Sequence, residues 1–276
     1  MPRIAAGRLE VSRVGLGTAS LHHLASSRAR QRLLDTALAS GITYYDTAPL
    51  YGNELAEREL GLFIARAGSG ICVATKFGLV PSALAGRFPI VGYTQAAFRK
   101  VSRALLPHGW QGPGFHRDYS PVYAVQRVES SLRNLGCEAI DILYVHEPDI
   151  ASSVSDETIE ALLRLKARGL VRFTGFAGQS HICGELAHRY PAVADVLQVE
   201  ILPGKGGFPG LPRPPDVTYG HFRVNRAGDL PISAEDSLRR SAIEYPDGVL
   251  LVSSRRPERI VESVRLVREL GGGDFS

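Results

Sequence analysis

The stretch that decides the fold is Gly41-Ile42-Thr43-Tyr44-Tyr45-Asp46-Thr47-Ala48-Pro49-Leu50-Tyr51-Gly52, followed after a helical segment by Ile71-Cys72-Val73-Ala74-Thr75-Lys76-Phe77-Gly78. Thr43 to Tyr45 is a short β-favouring run, Asp46 stands where it stops, and Tyr51-Gly52 follows in a turn-rich connection. Asn53 is placed to cap a helix carrying Leu55, Leu60, Leu62 and Phe63, which returns the chain to a second strand, Ile71 to Thr75, closed by Lys76. An Asp, a Tyr and a Lys therefore meet at two successive strand ends.

Outward from this unit the same rhythm repeats. Val14 to Thr18 reads as a strand and Arg28 to Ser40 as a helix with Leu33, Leu34, Ala37 and Leu38 inward. Ser120-Pro121 opens a helix that Gly136 can end, and Ile140 to Val145 is the fourth strand, running into His146-Glu147-Pro148-Asp149. Ser155 and Asp156 open the next helix, and Val171 to Phe176 is the fifth strand. A helix over about Ser180 to Tyr190 leads to the sixth, Val196 to Ile201. Pro203 to Asp216 holds too many Gly and Pro for a helix, so the crossover there is expected to be irregular. Val217 to Phe222, a helix over Ser233 to Tyr245, Gly248 to Val252 and a helix over Pro257 to Leu270 complete the series.

Eight strands, nearly all separated by helices, predict one closed (β/α)8 TIM barrel over residues 1 to 276. No Gly-x-Gly-x-x-Gly turn follows the first strand, which argues against an open nucleotide-binding sheet. Residues 79 to 120 interrupt the rhythm as a long loop insertion rich in Gly, Pro and aromatics. It is expected either to fold over the mouth, bringing Trp110, Phe115, His116 or Tyr119 near a substrate, or to pack outward on itself.

Composition narrows the function classes. The 276 residues are 44% hydrophobic and 22% charged, which suits a large α/β core and excludes a disordered or fibrous chain. No apolar run reaches the length of a membrane span, and the first residues lack the apolar segment of a secretory signal, so a cytoplasmic location is expected. Cys72, Cys137 and Cys183 have no metal-ligand spacing and read as ordinary thiols. The net charge of +4 comes mostly from scattered Arg, with Lys only at 76, 100, 166 and 205. Without a dense basic stripe, this favours a small anionic ligand over nucleic acid.

In such barrels the chemistry sits at the C-terminal strand ends, where Asp46, Lys76 and His146 end strands two, three and four, with Tyr51 just beyond. Each alone has a plain explanation: a turn cap, a solvated cation, hydrogen-bonded filler, a loop anchor. Together they form a proton donor beside an oxygen pocket. A phenol's pKa of about 10 is high for proton exchange near neutral pH, and Lys76 is expected to lower that of Tyr51 while Asp46 orients the lysine. His146 offers a second donor to a substrate oxygen. No side chain supplies hydride, so a nicotinamide cofactor is required for carbonyl chemistry.

The sequence resembles the aldo-keto reductases over nearly its whole length, from Gly7-Arg8-Leu9-Glu10-Val11-Ser12-Arg13-Val14-Gly15-Leu16-Gly17-Thr18 to the last helix. Its most specific piece is Asp46-Thr47-Ala48-Pro49-Leu50-Tyr51-Gly52, joined by Ala74-Thr75-Lys76 and Val145-His146. The resemblance implies a (β/α)8 barrel, NADPH in preference to NADH, and Asp46, Tyr51, Lys76 and His146 as a catalytic tetrad with Tyr51 as the acid. It also implies cofactor contacts from Gln198 and from Ser254, Arg255, Arg259 and Glu262, a Ser/Arg cluster at a helix start that suits a phosphate. Ala177-Gly178 stand where the family carries a Ser-Asn pair.

Arg117-Asp118-Tyr119-Ser120-Pro121, Glu129-Ser130-Ser131-Leu132-Arg133-Asn134-Leu135-Gly136 and Val145-His146-Glu147-Pro148-Asp149 resemble the branch that oxidises aldoses, so the expected partner is a small carbonyl or sugar-like molecule, with no nucleic acid, membrane or metal. Two other readings compete with the reductase: a nicotinamide-cofactor-binding regulatory protein with little turnover, and a Schiff-base lyase using Lys76.

Overall fold

The computed structural model describes residues 1–81, 115–150, 153–201, 207–208, 210–222 and 233–270. Trp110 and most of the 79–120 insertion lie outside them. In chain order the elements are β1 (Arg3–Ile4), β2 (Leu9–Glu10), β3 (Val14–Gly17), α1 (Ser27–Ala39), β4 (Tyr44–Asp46), α2 (Leu55–Ala67), β5 (Cys72–Phe77), β6 (Leu79–Pro81) and β7 (Phe115–Arg117). There follow α3 (Pro121–Leu135), β8 (Ile140–His146), α4 (Asp156–Ala167), β9 (Val171–Gly178), α5 (Ser180–Arg189), β10 (Val196–Glu200), β11 (Val217–Tyr219), α6 (Ala234–Glu244), β12 (Val249–Val252) and α7 (Pro257–Leu270).

Eight parallel strands close into a barrel in the cyclic order β3, β4, β5, β8, β9, β10, β11, β12, with each pair in parallel register. This is the (β/α)8 barrel that the strand and helix rhythm predicts. Among the described residues no helix joins β10 to β11, in keeping with the Gly and Pro content there.

The helix starts follow local chemistry. Ser26, Ser120, Ser155 and Ser233 each accept a backbone N–H from three residues on, and Gly136 ends α3 in the left-handed conformation. The start of α2 departs from expectation. Asn53 and Glu54 both have positive φ, and Glu54, with no side-chain capping bond, occupies the cap position instead of Asn53. Glu54 instead turns its carboxylate to Arg127 of α3 at 2.5 Å.

Two layers of apolar residues result from the two-residue period of the strands. Tyr45, Val73, Leu143 and Val145 face outward and pack against Leu33, Leu34, Leu60 and Phe63 of the surrounding helices. Tyr44, Cys72, Ala74, Ile142, Tyr144, Val196 and Val249 face inward and fill the barrel. The β1–β2 hairpin brings Ile4, Ala5 and Val11 to the same inner cluster. Strands of two residues are too short to leave a periodic signal, so the sequence does not announce this hairpin.

The insertion after Lys76 also has more order at its ends than a loop. Leu79–Pro81 pairs antiparallel with Phe115–Arg117, so the segment leaves and rejoins the barrel as a two-stranded ribbon.

Candidate active site

The inward period continues one step past the apolar layer. Two residues beyond Tyr44 is Asp46, beyond Ala74 is Lys76, beyond Tyr144 is His146 and beyond Val196 is Gln198. All four are buried at the C-terminal strand ends. Their convergence follows from strand alternation plus closure: register aligns His146 with Ala177 and Ala177 with Gln198, and Asp46 with Ala74 next to Lys76. Below them the Tyr44 and Tyr144 hydroxyls share a hydrogen bond of 3.0 Å, so each satisfies the other inside the barrel.

Lys76 Nζ donates to Asp46 Oδ1 at 2.5 Å, to the Thr47 carbonyl at 2.9 Å and to Tyr51 Oη at 3.3 Å. The Asp46 and Lys76 side chains are each only 2% exposed, so this is a desolvated pair. Tyr51 is half-buried, with the Lys76 ammonium 4.9 Å from its ring centroid and the His146 ring edge-on at 6.1 Å. Thr18 fixes the Asp46 backbone by donating to its carbonyl through both N–H, at 2.8 Å, and hydroxyl, at 3.0 Å.

The protonation balance differs from expectation at Tyr51. Burial, then the charges of Asp46 and Glu147, pushes the phenol well above its ordinary pKa, and Lys76 does not reverse this. Burial thus favours the neutral phenol at Tyr51 over a poised phenolate. Burial pulls Lys76 below the ordinary lysine value against the opposing charge of Asp46, and raises Asp46 against the pull of Lys76 and Gln198. Burial and the Lys76 charge hold His146 well below 6.5, a neutral imidazole with one N–H to donate.

These residues line a cleft of about 310 Å³ that also takes in Gly17, Glu147, Ala177, Gln198, Tyr219, His221 and Ser253. Gln198 Oε1 is a buried acceptor without a hydrogen-bond partner among the described residues, which fits the amide of a nicotinamide. Ser254, Arg255, Arg259 and Glu262 lie apart from it, at the start of α7. There Ser254 Oγ accepts the Arg256 N–H at 3.1 Å, while Arg255 and Arg259 are exposed; burial, then the Arg255 charge, lowers the His23 pKa. Exposed guanidinium groups at a helix start fit a phosphate. Ser20 and Ser253 join the two rims through a 3.1 Å hydroxyl contact.

Two cleft residues, Tyr219 and His221, carried no functional signal in the sequence. Tyr219 and His221 belong to β11 and the turn after it, where a three-residue strand blurs the boundary. Tyr119 is buried, and its hydroxyl donates to the His146 carbonyl at 2.9 Å, so it supports the site from behind instead of covering a substrate. His116 is exposed on the ribbon, paired with Val80.

The aldo/keto reductase family model matches residues 13–202. Pyridoxal 4-dehydrogenase of Microbacterium luteolum is 26% identical over 313 residues, covering 93% of this chain and 89% of the relative. D-threo-aldose 1-dehydrogenase of a Pseudomonas species is 29% identical, covering 63% of this chain and 52% of the relative. Against several such relatives the chain spans about half their length, as with an aldo-keto reductase of Strobilurus tenacellus, of which 53% is covered. Among solved structures, an aldo-keto reductase from Klebsiella pneumoniae in complex with NADPH superposes with a TM-score of 0.67 at 17% identity, over 96% of this chain and 88% of that one.

Proposed function

This chain belongs to the aldo/keto reductase family, and we propose that it is an NADPH-dependent oxidoreductase that reduces an aldehyde or ketone to an alcohol, or runs the reverse reaction, on a small carbonyl or sugar-like molecule. Residues 1–276 act in this reading as one barrel domain. The observation that carries it is the buried Asp46–Lys76 pair whose ammonium reaches the Tyr51 hydroxyl at 3.3 Å on the wall of the cleft.

Gln198 holds the nicotinamide amide, and Ser254, Arg255, Arg259 and Glu262 hold the adenosine phosphate end. When bound, the cofactor supplies the hydride. The substrate carbonyl oxygen takes hydrogen bonds from Tyr51 and from the neutral His146. As charge develops on that oxygen, Tyr51 gives up its proton. Lys76 stabilises the phenolate that remains, and Asp46 keeps the ammonium aimed at it. The sugar dehydrogenases among the relatives support a hydroxylated substrate.

Fluorescence titration with NADPH and NADH, followed by a carbonyl and sugar panel, tests this reading. Tighter binding of NADPH with turnover of at least one carbonyl is expected. Tight binding without turnover would make the chain a cofactor-binding regulatory protein, and no binding of either cofactor would overturn the assignment.

A further inference from the structure

Immediately after His146 the chain takes an uncommon turn. Glu147 adopts a φ of 46°, in the left-handed region that non-glycine residues rarely visit. Strain of this kind persists only where neighbours hold it. Here the Glu147 N–H donates to the Ala177 carbonyl at 2.7 Å, its carbonyl accepts from Arg117 Nε at 3.3 Å, and Pro148 follows. Gly178 presses against it so closely that an added Cβ would lie 3.2 Å from the Glu147 Cα. The missing side chain at Gly178 is what gives this turn its room.

The consequence is an acidic group on the substrate cleft. Glu147 lines the same cleft as Tyr51 and His146, is exposed, and takes no hydrogen bond or ion pair to its carboxylate from any described residue. Arg117, a nearby cation, forms an ion pair with Asp149, at 3.5 Å. The Glu147 charge reaches the interior of the site, making Tyr51, Lys76, Tyr119 and Tyr219 all harder to deprotonate.

The geometry points to Glu147 as a specificity-determining residue whose carboxylate accepts hydrogen bonds from the hydroxyl groups of a carbonyl substrate and repels substrates that carry a carboxylate. This rests on the oxidoreductase reading above. A carboxylate without a partner among the described residues discriminates by repulsion as well as attraction. Its charge also acts on Tyr51 and Lys76 with every substrate alike, so the ratio of kcat/KM between substrates, not the absolute rate, reads out the sorting.

The test is the kcat/KM for glyceraldehyde, propanal and succinic semialdehyde in wild type, Glu147→Gln and Glu147→Ala, with NADPH saturating. Wild type is expected to favour glyceraldehyde and to disfavour succinic semialdehyde. Glu147→Gln removes the charge but keeps an acceptor, and is expected to raise kcat/KM for succinic semialdehyde about ten-fold while glyceraldehyde changes less. Glu147→Ala is expected to lower glyceraldehyde about five- to ten-fold relative to propanal. Unchanged discrimination in both variants, with wild-type turnover intact, overturns the role of Glu147 alone. Turnover of none of the three by wild type, nor of any carbonyl in the wider panel, overturns the oxidoreductase reading, and this inference with it.

Discussion

Lys76 Nζ and Asp46 Oδ1 stand 2.5 Å apart with both side chains 2% exposed, a salt bridge formed almost wholly out of water. Each charge is tolerable there only because of the other. Replacing one partner leaves an uncompensated buried charge, so Lys76→Met or Asp46→Asn alone is expected to cost about 3–5 kcal/mol. The double variant is expected to cost clearly less than the sum of the two. Urea unfolding of all four proteins closes the cycle, and strict additivity would show that the pair does not act as a unit.

Tyr51→Phe removes the hydroxyl proposed as the proton donor while leaving the ring beside His146 and Lys76. Carbonyl reduction is expected to fall by about 10²–10⁴-fold, with NADPH affinity within a few-fold of wild type. Stopped-flow NADPH oxidation and a fluorescence titration measure the two separately. Wild-type rates in this variant would remove Tyr51 from its role.

The directions of the protonation shifts constrain the pH profile. Tyr51 is held above its ordinary value and so stays protonated through the neutral range, while His146 is held below 6.5 and stays neutral. The kcat/KM for carbonyl reduction is therefore expected to be flat over roughly pH 6 to 9 with respect to both groups. A limb centred near the ordinary histidine pKa, which disappears in His146→Gln, would contradict the neutral imidazole.

His221 makes a prediction about stability. Buried in the cleft wall with Nε2 2.9 Å from the Thr218 carbonyl, it is pushed down from 6.5 to about 4 by burial, with Arg13 adding to the shift. As pH falls below 6.5 the unfolded chain takes up a proton that the folded chain refuses. The stability linked to His221 is thus present above pH 6.5 and lost on the way down to about 4. The difference in unfolding free energy between wild type and His221→Gln is expected to shrink by about 3 kcal/mol across that window, at about 1.4 kcal/mol per pKa unit. Denaturant titrations at several pH values would show it, and a constant difference would rule it out.

At Glu147 stability and specificity pull apart. Asn tolerates the left-handed conformation that Glu147 adopts at a φ of 46°. Glu147→Asn is expected to raise stability by about 0.5–1 kcal/mol while weakening discrimination against carboxylated aldehydes. Thermal melts beside the aldehyde panel test both halves.

Much of the barrel was legible because strands and helices write their periods locally. Tyr44 to Asp46 and Ala74 to Lys76 alternate in and out over a few residues, and α3 carries its own Ser120 cap, Pro121 start and Gly136 stop. Where the signal depends on backbone geometry more than residue type, the reading failed. Asn53 is a good cap by preference, yet the turn places Glu54 at that position with a φ of 66°. The ribbon formed by Leu79–Pro81 and Phe115–Arg117 joins segments far apart in sequence, so no local pattern announces it.

By itself, then, the sequence determined the alternation of elements, the inward face of each strand and the presence of Asp46, Tyr51, Lys76 and His146 at their ends. Only the tertiary structure decided that Gln198 leaves a buried acceptor in the same cleft, that Tyr119 braces His146 from behind, and that Glu147 turns onto the rim over Gly178. It also reversed the expected shift of Tyr51, from lowered by its lysine to raised. The physical reason is common to all of these. Periodicity and capping act over one to four residues, whereas burial and electrostatic environment are sums over every strand that the closed barrel brings together.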